Sequence, residues 1–287
     1  MAEILKLSMT EYHALEGVWG NSQFTDLAES PPLFYERHVA RSLPPAESET
    51  FSLGIAIHTA ILEPGKFYDR VAAIPPDCLA SDGSKRGKKW EAWRDDHQGL
   101  ILLHQAEVDR IVAMQTNLRR NEALRFLLDA PGPVERSILW TDEDTGLRRK
   151  ARPDKIAKSG KQCVVIDVKT TIAPYPAGFA KQLVSFGYHR QAACYLDGVE
   201  AAGMKPTGFV IIAVPKKPGY DPVVYRLARS AIDAGRQENR RLLRELQHRL
   251  RVDDWHVDAF DRIHELDLPP DRYPPIELIV KGQPITL

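Results

Sequence analysis

The sequence has few cysteines and no net charge. Its 287 residues include three cysteines at wide spacing, Cys78, Cys163 and Cys194. This argues against a disulfide framework, a zinc knuckle and a four-cysteine iron–sulfur cluster. Lysine plus arginine and aspartate plus glutamate balance at 39 each. A uniformly basic nucleic-acid coat is therefore excluded, while a local basic channel stays possible.

Long apolar runs and several common enzyme motifs are also absent. No stretch approaches the roughly 18 apolar residues of a membrane helix, and residues 1–15 lack the apolar core of a signal peptide. These features predict a cytoplasmic protein that does not enter a membrane. The sequence contains no G-x-x-x-x-G-K-[ST], G-x-S-x-G or H-E-x-x-H pattern, which argues against a P-loop ATPase, a serine hydrolase and a zinc protease.

The composition, with 43% hydrophobic and 27% charged residues, is that of a globular protein. No linker is evident, so we expect a single domain over residues 1–287. It would comprise a mainly helical part (1–130), an α/β core (131–227), and a C-terminal helix with an irregular tail (228–287).

Hydrophobic periodicity predicts the main elements. Helices are expected over residues 51–62, 104–119, 122–128, 186–196 and 228–251, and strands over 134–140, 147–152, 162–168, 209–214 and 223–227. Residues 42–50 read as a loop and 143–146 as a hairpin turn. Gly54, in the first of these helices, is expected to permit a close helix approach. The last helix carries an apolar stripe, formed by Leu242, Leu243, Leu246 and Leu250. The stripe is either a subunit interface or a surface packed on the chain's own sheet.

Two carboxylates and a lysine follow one another in residues 150–171. Asp154 ends one predicted strand, and Asp167 and Lys169 lie two residues apart in the next. Because side chains alternate along a strand, Asp167 and Lys169 point to one face and Val168 to the other. A return of the chain between the strands can bring Asp154 beside Asp167.

Such a trio suits metal-dependent hydrolysis of a phosphodiester. Mg²⁺ prefers carboxylate and water oxygens, and it lowers the pKa of a bound water. A nearby ammonium can orient that water and offset charge in the transition state. The alternative is an ordinary Asp–Lys pair on a solvated strand face. The apolar context VVIDV (residues 164–168) favours a buried strand, in which an unpaired aspartate is costly.

Four ordered motifs give the sequence a family resemblance. The pair Pro153-Asp154 followed by Asp167-Val168-Lys169 resembles the PD-(D/E)XK nuclease superfamily. Longer strings resemble the RecE-type exonucleases, the exonuclease VIII group of phages and prophages. These strings are GIAIHTAILEP (residues 54–64), RPDKI (152–156), DVKTT (167–171) and YHRQAACY (188–195).

The resemblance implies a restriction-endonuclease-like α/β core, with a mixed central sheet flanked by helices and a helical N-terminal part. It implies a Mg²⁺-dependent exodeoxyribonuclease that digests linear double-stranded DNA processively from 5′ to 3′ and leaves 3′ overhangs. Such enzymes work with single-strand annealing proteins in recombination and form rings, which implies a homotrimer or homotetramer. Two alternatives stay open: a structure-specific or single-strand nuclease on the same core, and a catalytically silent DNA-binding relative.

The resemblance also assigns roles to residues. His58, Asp154, Asp167 and the carbonyl of Val168 would hold Mg²⁺, and Mn²⁺ would substitute because an imidazole ligand also suits softer metals. Lys169 would position the attacking water, so Asp154, Asp167 and Lys169 form the predicted catalytic set. As an alternative, His58 is an ordinary core histidine of a buried helix.

Further residues are candidates for DNA contact. Tyr188, Gln191 and Tyr195 share one helix face because they lie three and four residues apart. The family's Gln-x-x-x-Tyr motif implies DNA contacts on this face, whereas the alternative is packing on the sheet. Glu135 is either a carboxylate near the metal or a solvated strand end. Arg152 belongs to a basic run, residues 148–161, that would line a DNA channel or form a solvated face; residues 85–89 would extend it.

Overall fold

Helices and strands alternate along the chain in the computed structural model. It describes residues 2–43, 50–216, 221–257, 263 and 265, and the backbone of 277–280 and 283–286. Residues 1–254 form one compact unit and 255–287 another. Most of the loop predicted at 42–50 lies outside the described residues. No helix in the described part of the chain is both long and apolar enough to cross a membrane.

The larger unit contains eleven α-helices and ten strands within its described residues. The helices are α1 (Met9–Ala14), α2 (Asn21–Glu29), α3 (Pro31–Phe34), α4 (Thr50–Leu62), α5 (Phe67–Arg70), α6 (Lys88–Asp96), α7 (Gln105–Arg120), α8 (Glu122–Asp129), α9 (Pro176–Ser185), α10 (Tyr188–Ala201) and α11 (Arg229–Val252). The strands are β1 (Glu3–Leu5), β2 (Val18–Trp19), β3 (Val71–Ile74), β4 (Ile101–His104), β5 (Ser137–Thr141), β6 (Arg148–Ala151), β7 (Lys155–Ser159), β8 (Gln162–Thr171), β9 (Lys205–Pro215) and β10 (Val223–Arg226).

The central sheet has the order β10-β9-β8-β7. Strands β8 and β9 are parallel and are joined through α9 and α10, while β7 and β10 pair antiparallel at the two edges. Helices cover both faces, so the predicted mixed sheet flanked by helices is confirmed. The apolar runs of β8 and β9 agree with this position, since a central strand buries both of its faces.

The two faces of this sheet carry separate apolar cores. On one face, Ile166 and Val168 of β8 pack with α4, α7 and α8. On the other, Cys163 and Val165 of β8 pack with α9, α10 and α11. This alternation along β8 places Asp167 and Lys169 on the face that carries α10, as the period of a strand requires.

The first two strands predicted for the α/β core lie in a different sheet. Strands β5 and β6 form its hairpin, and β1 and β2 pair at its edges in the order β1-β5-β6-β2. The described link to the central sheet is an isolated bridge between Val134 and Lys155. Glu135, which follows the bridge, has a φ of 47°, and a left-handed residue of this kind turns the chain out of strand geometry.

Two unexpected elements lie next to the strand that carries Asp167 and Lys169. Residues 155–159 form the edge strand β7, where we expected only a return of the chain between two strands. Helix α9 was not predicted, because Pro174, Pro176 and Gly178 read as a loop; Pro176 instead occupies the start of the helix, where its missing N–H costs nothing.

The smaller unit contradicts the irregular tail predicted from residue 268 onward. Strands β11 (Glu277–Val280) and β12 (Gln283–Thr286) pair antiparallel in it. The alternation of apolar and polar residues in ELIV and QPIT is weak, which is why these segments did not read as strands. The prediction of one domain for the whole chain stays a prediction.

The apolar stripe of α11 is not a free surface. Leu242, Leu243 and Leu246 are buried within the chain, where α11 packs against α10 and α2. Leu250, at 38% exposure, is the one member of the stripe near the surface. The assignment of this stripe to a subunit interface is therefore wrong, because its apolar area is already covered.

Two helical glycines, Gly235 and Gly54, differ in the space available for a side chain. A Cβ added to Gly235 of α11 would lie 2.2 Å from the carbonyl oxygen of His189, whereas a Cβ on Gly54 of α4 meets no described atom within 4 Å. The close approach expected at Gly54 therefore occurs at Gly235 instead.

We predict that Gly235→Ala lowers the free energy of unfolding by about 1–3 kcal/mol, because backbone atoms of α10 must move. Gly54→Ala should leave stability unchanged or raise it by about 0.5–1 kcal/mol, since alanine loses less entropy in a helix. Urea denaturation of both variants measures the difference. Equal stability of the two variants would contradict this account of the α10–α11 contact.

Candidate active site

Strand β8 brings Asp167 and Lys169 to one face of the central sheet. Asp167 is almost fully buried, at 2% exposure. Its Oδ2 forms an ion pair with Lys169, with 2.8 Å between this oxygen and Nζ. The ammonium therefore balances the carboxylate's charge, while a carboxylate can accept about four hydrogen bonds and so keeps acceptor capacity for a further cation.

Asp154 joins this pair from the segment between β6 and β7. Its Oδ2 accepts a hydrogen bond of 2.6 Å from the backbone N–H of Val168. The same oxygen lies 3.5 Å from Nδ1 of His58, which α4 presents from the opposite face of the sheet. The structure thus brings together the four predicted side chains His58, Asp154, Asp167 and Lys169.

Burial and mutual repulsion control the charges of this group. The pKa of Asp154 is raised to about 6, chiefly because burial disfavours the charged form and also because Asp167 is near; His58, Lys169 and the Val168 N–H oppose the rise. Burial works to lower the pKa of Lys169, but the attraction of Asp167 and Asp154 outweighs it, so the lysine pKa is raised. Lys169 is therefore an ammonium at neutral pH.

The donor atoms of this group are suited to a hard divalent cation. Two carboxylates supply the oxygen ligands that Mg²⁺ prefers, and the ion pair with Lys169 engages only part of the acceptor capacity of Asp167. No three His, Cys, Asp or Glu side chains in the described part of the chain converge closely enough to form a complete cluster. A cation held here would complete its coordination with water or substrate oxygens, as Mg²⁺ commonly does.

Helix α10 supplies the second group of predicted residues. The Tyr188 ring lies 5.0 Å from Nζ of Lys169, a distance suited to a cation–π contact. The side chain of Gln191 donates a hydrogen bond of 2.9 Å to the hydroxyl of Tyr195. Burial is the main reason that the pKa of each tyrosine is raised. Tyr188 thus contacts the lysine directly, while Gln191 and Tyr195 bond to each other.

Glu135 and Arg152 lie beside the site without joining the carboxylate pair. The backbone N–H of Glu135 donates to the carbonyl of Asp154, and its carboxylate is 3.6 Å from the guanidinium of Arg152. Arg152 also donates a hydrogen bond of 2.7 Å to the carbonyl of Leu7. In this arrangement Arg152 holds the N-terminal segment, and its contact with DNA stays a prediction.

Three cations of the basic run at residues 148–161 are buried inside the protein: Arg149, Lys150 and Lys155. Arg149 is 1% exposed; its guanidinium lies 5.0 Å from the Phe24 ring and 5.2 Å from the Trp140 ring. Lys150 is also buried, donates to the carbonyl of Tyr12 and has a pKa lowered to about 8 because of burial. The interpretation of this run as a DNA-lining or solvated face is therefore wrong for these three buried residues, and it stays a prediction for the exposed Arg148 and Lys161.

A further residue, Gln182, supports the site and gave no signal in the sequence. Its Oε1 accepts a hydrogen bond of 2.7 Å from the hydroxyl of Thr171, at the end of β8. This bond ties α9 to the strand that carries Asp167 and Lys169. The link was not foreseeable because α9 itself was not predicted.

The fold and the carboxylate–lysine group define a member of the PD-(D/E)XK superfamily. More narrowly, residues 20–258 match the family model of a PDDEXK-like domain of unknown function (DUF3799), and the chain belongs to that family. No curated protein matches the sequence.

Two solved structures are similar to the chain. The crystal structure of a "Putative exonuclease" from Eubacterium rectale is 15% identical in sequence, with a TM-score of 0.55 over 92% of this chain and 97% of that one. At this identity the likeness shows a shared fold. The crystal structure of SSO0001, also 15% identical, covers 81% of each chain with a TM-score of 0.33, too low to support an argument.

The raised pKa of Asp154 predicts that this carboxylate destabilises the metal-free protein at neutral pH. Its pKa in the folded chain, about 6, exceeds the reference value of 3.8, so its contribution to stability is complete below about pH 4 and is lost as pH rises through 6. Asp154→Asn is neutral at every pH and can still accept from the Val168 N–H. We expect the variant to be more stable by about 1–3 kcal/mol at pH 8 in chelator.

Urea unfolding at several pH values between 4 and 8 tests this, and the gain should shrink toward the acid end. Asp144→Asn, in the exposed hairpin turn, is the matched control and should show no such dependence. An Asp154→Asn protein less stable than the natural chain at pH 8 would contradict the electrostatic account.

Proposed function

We propose that this protein is a metal-dependent deoxyribonuclease, and that it digests linear double-stranded DNA processively from 5′ to 3′, leaving 3′ overhangs. The observation that carries the proposal is the hydrogen bond from Val168 to Asp154, which sets a second carboxylate beside Asp167 and Lys169. The intact carboxylate–lysine group argues against a catalytically silent relative, since a buried group of this kind lowers stability without a compensating role.

Each residue of the group has a task in phosphodiester hydrolysis. Asp154 and Asp167 would hold Mg²⁺ or Mn²⁺ together with His58 and the Val168 carbonyl; the bound metal would polarise the phosphate and lower the pKa of a water molecule. Lys169 would orient the attacking oxygen and stabilise the negative charge that develops on the phosphate. The Tyr188 ring limits the positions that the ammonium can take.

The direction and processivity of digestion are carried over from the resemblance of the motifs to RecE-type exonucleases. Membership of the PDDEXK-like family supports a nuclease. A single-strand annealing protein, which would bind the 3′ overhang, is the partner that fits this activity. The same core could instead cut single strands or branched structures, and the choice of DNA substrate distinguishes these activities.

Wild-type protein with Mg²⁺ should release nucleotides from linear duplex DNA, but not from nicked circular duplex. Duplexes labelled at one 5′ end or one 3′ end report the direction: early loss of the 5′ label is expected. Preferential cleavage of single strands would favour the single-strand nuclease, and cleavage of the nicked circle would contradict an exonuclease.

Two variants connect the activity to the site. Asp167→Asn should lower the rate by at least about a hundredfold, because a charged ligand is lost. Lys169→Met should lower the rate similarly while metal binding, measured by calorimetry, persists. Lys161→Met, an exposed lysine at the other end of β8, is the matched control and should keep full activity. Activity retained in Asp167→Asn would exclude this site.

Processive digestion further leads us to propose a homotrimer or homotetramer. Contacts between exposed cations and phosphates weaken steeply with salt, so a single open groove would release DNA between cuts, whereas a closed ring would retain it. Since the α11 stripe is buried, another surface must form the interface. Light scattering at micromolar protein should give three or four times the 32.3 kDa chain mass. A monomer that remains processive on long duplex would refute the ring.

A further inference from the structure

A short aromatic row leads from the protein surface to the candidate active site. Phe186 is 54% exposed, and its ring centroid lies 5.6 Å from that of Tyr188. The Tyr188 ring in turn lies 5.0 Å from Nζ of Lys169. These two distances limit the separation of the Phe186 ring from the lysine to about 11 Å, which is about three stacked nucleotides of one strand.

Exposure of an aromatic ring is not by itself unusual. Phe126 on α8 is more exposed, at 73%, and scattered apolar side chains occur on most protein surfaces. Phe186 differs because its ring contacts Tyr188, which in turn contacts Lys169 of the site. Val184, two residues before it near the end of α9, is exposed as well.

The backbone holds Phe186 in a fixed position. It belongs to the two-residue connection between α9 and α10, and its N–H donates to the carbonyl of Gln182. Gly187, the next residue, has a φ of 62°, and a Cβ there would lie 2.4 Å from the Arg190 guanidinium. The side chain of Gln182 is itself bonded to Thr171 of β8. The backbone of Phe186 is therefore tied through Gln182 to β8, which carries Lys169, and it leads directly into α10, which carries Tyr188.

We infer that Phe186 is a stacking site for an unpaired nucleobase at the end of the DNA strand that enters the active site. This inference rests on the proposed nuclease function and names a substrate contact for it. Aromatic rings bind bases through their π faces without sequence preference. Within a duplex, neighbouring base pairs cover both faces of a base, so a terminal or unpaired base is the one that offers a free face.

The residues near the Phe186 ring indicate that a nucleobase is its ligand. Lys169 and the carboxylate pair are built for a phosphate and a cation, so a strand whose phosphate lies there has its nearby bases within reach of Phe186. The Phe186 ring itself is apolar and more than half exposed. Such a surface suits the flat face of a base better than the phosphate backbone.

The test uses binding without cleavage, in Ca²⁺ or in chelator. The probes are a blunt duplex and the same duplex with a short single-stranded tail, with 2-aminopurine as an unpaired base of the tail. We expect Phe186→Ala to bind the tailed duplex about tenfold to a hundredfold more weakly than the natural chain and to lose the fluorescence quenching that stacking produces. Phe186→Trp should keep both, because indole also stacks.

Phe126→Ala is the matched control, since it removes an exposed phenyl ring from the opposite layer of the fold and should change neither signal. Unchanged binding and quenching in Phe186→Ala would overturn the inference, as would equal weakening on blunt and tailed DNA. This failure is distinct from failure of the proposed function: a natural chain that cleaves no DNA with Mg²⁺ yet quenches the tailed probe still has the stacking site.

Discussion

The hydrogen bond from the backbone of Val168 to Asp154 fixes the geometry of the candidate active site. It fixes a carboxylate from the segment before β7 against the middle of β8, next to Asp167. Burial is the main reason that the pKa of Asp154 is raised, and the negative charge of Asp167 adds to the rise. Lys169 offsets part of the negative charge through its ion pair with Asp167, and the remaining acceptor capacity of the two carboxylates suits a further cation.

The stability of the fold comes from other parts of the structure than this charged group. A buried group of two acids and one base adds little net stability, because desolvation offsets the attraction between the charges. The apolar cores on the two faces of the central sheet supply the stability instead, at roughly 25 cal/mol for each Å² of apolar surface removed from water. In residues 164–168, apolar side chains pack into the two cores and surround the single charged residue, Asp167.

Much of this could be predicted from the sequence because the relevant signals are local. The period of a strand placed Asp167 and Lys169 on one face, and the motif order placed Asp154 and His58 beside them. The division of the strands into two sheets was not predictable in this way, since it depends on the left-handed residue Glu135 and on which strands meet. Helix α9 was missed because its prolines and glycine have the composition of a loop.

The run of cations in the sequence was a poor predictor of a positively charged surface. A run of cations predicts a solvated or DNA-facing surface only if each side chain reaches solvent, but the long stems of arginine and lysine also pack well in a core. Arg149 lies between two aromatic rings and Lys150 is bonded to a carbonyl, so neither can neutralise a phosphate. With fewer surface cations than the run suggests, the proposed nuclease would gain less affinity from phosphate contacts. Contacts to bases and enclosure of the strand would then have to supply more of the binding, and the aromatic row beside Lys169 could supply base contacts.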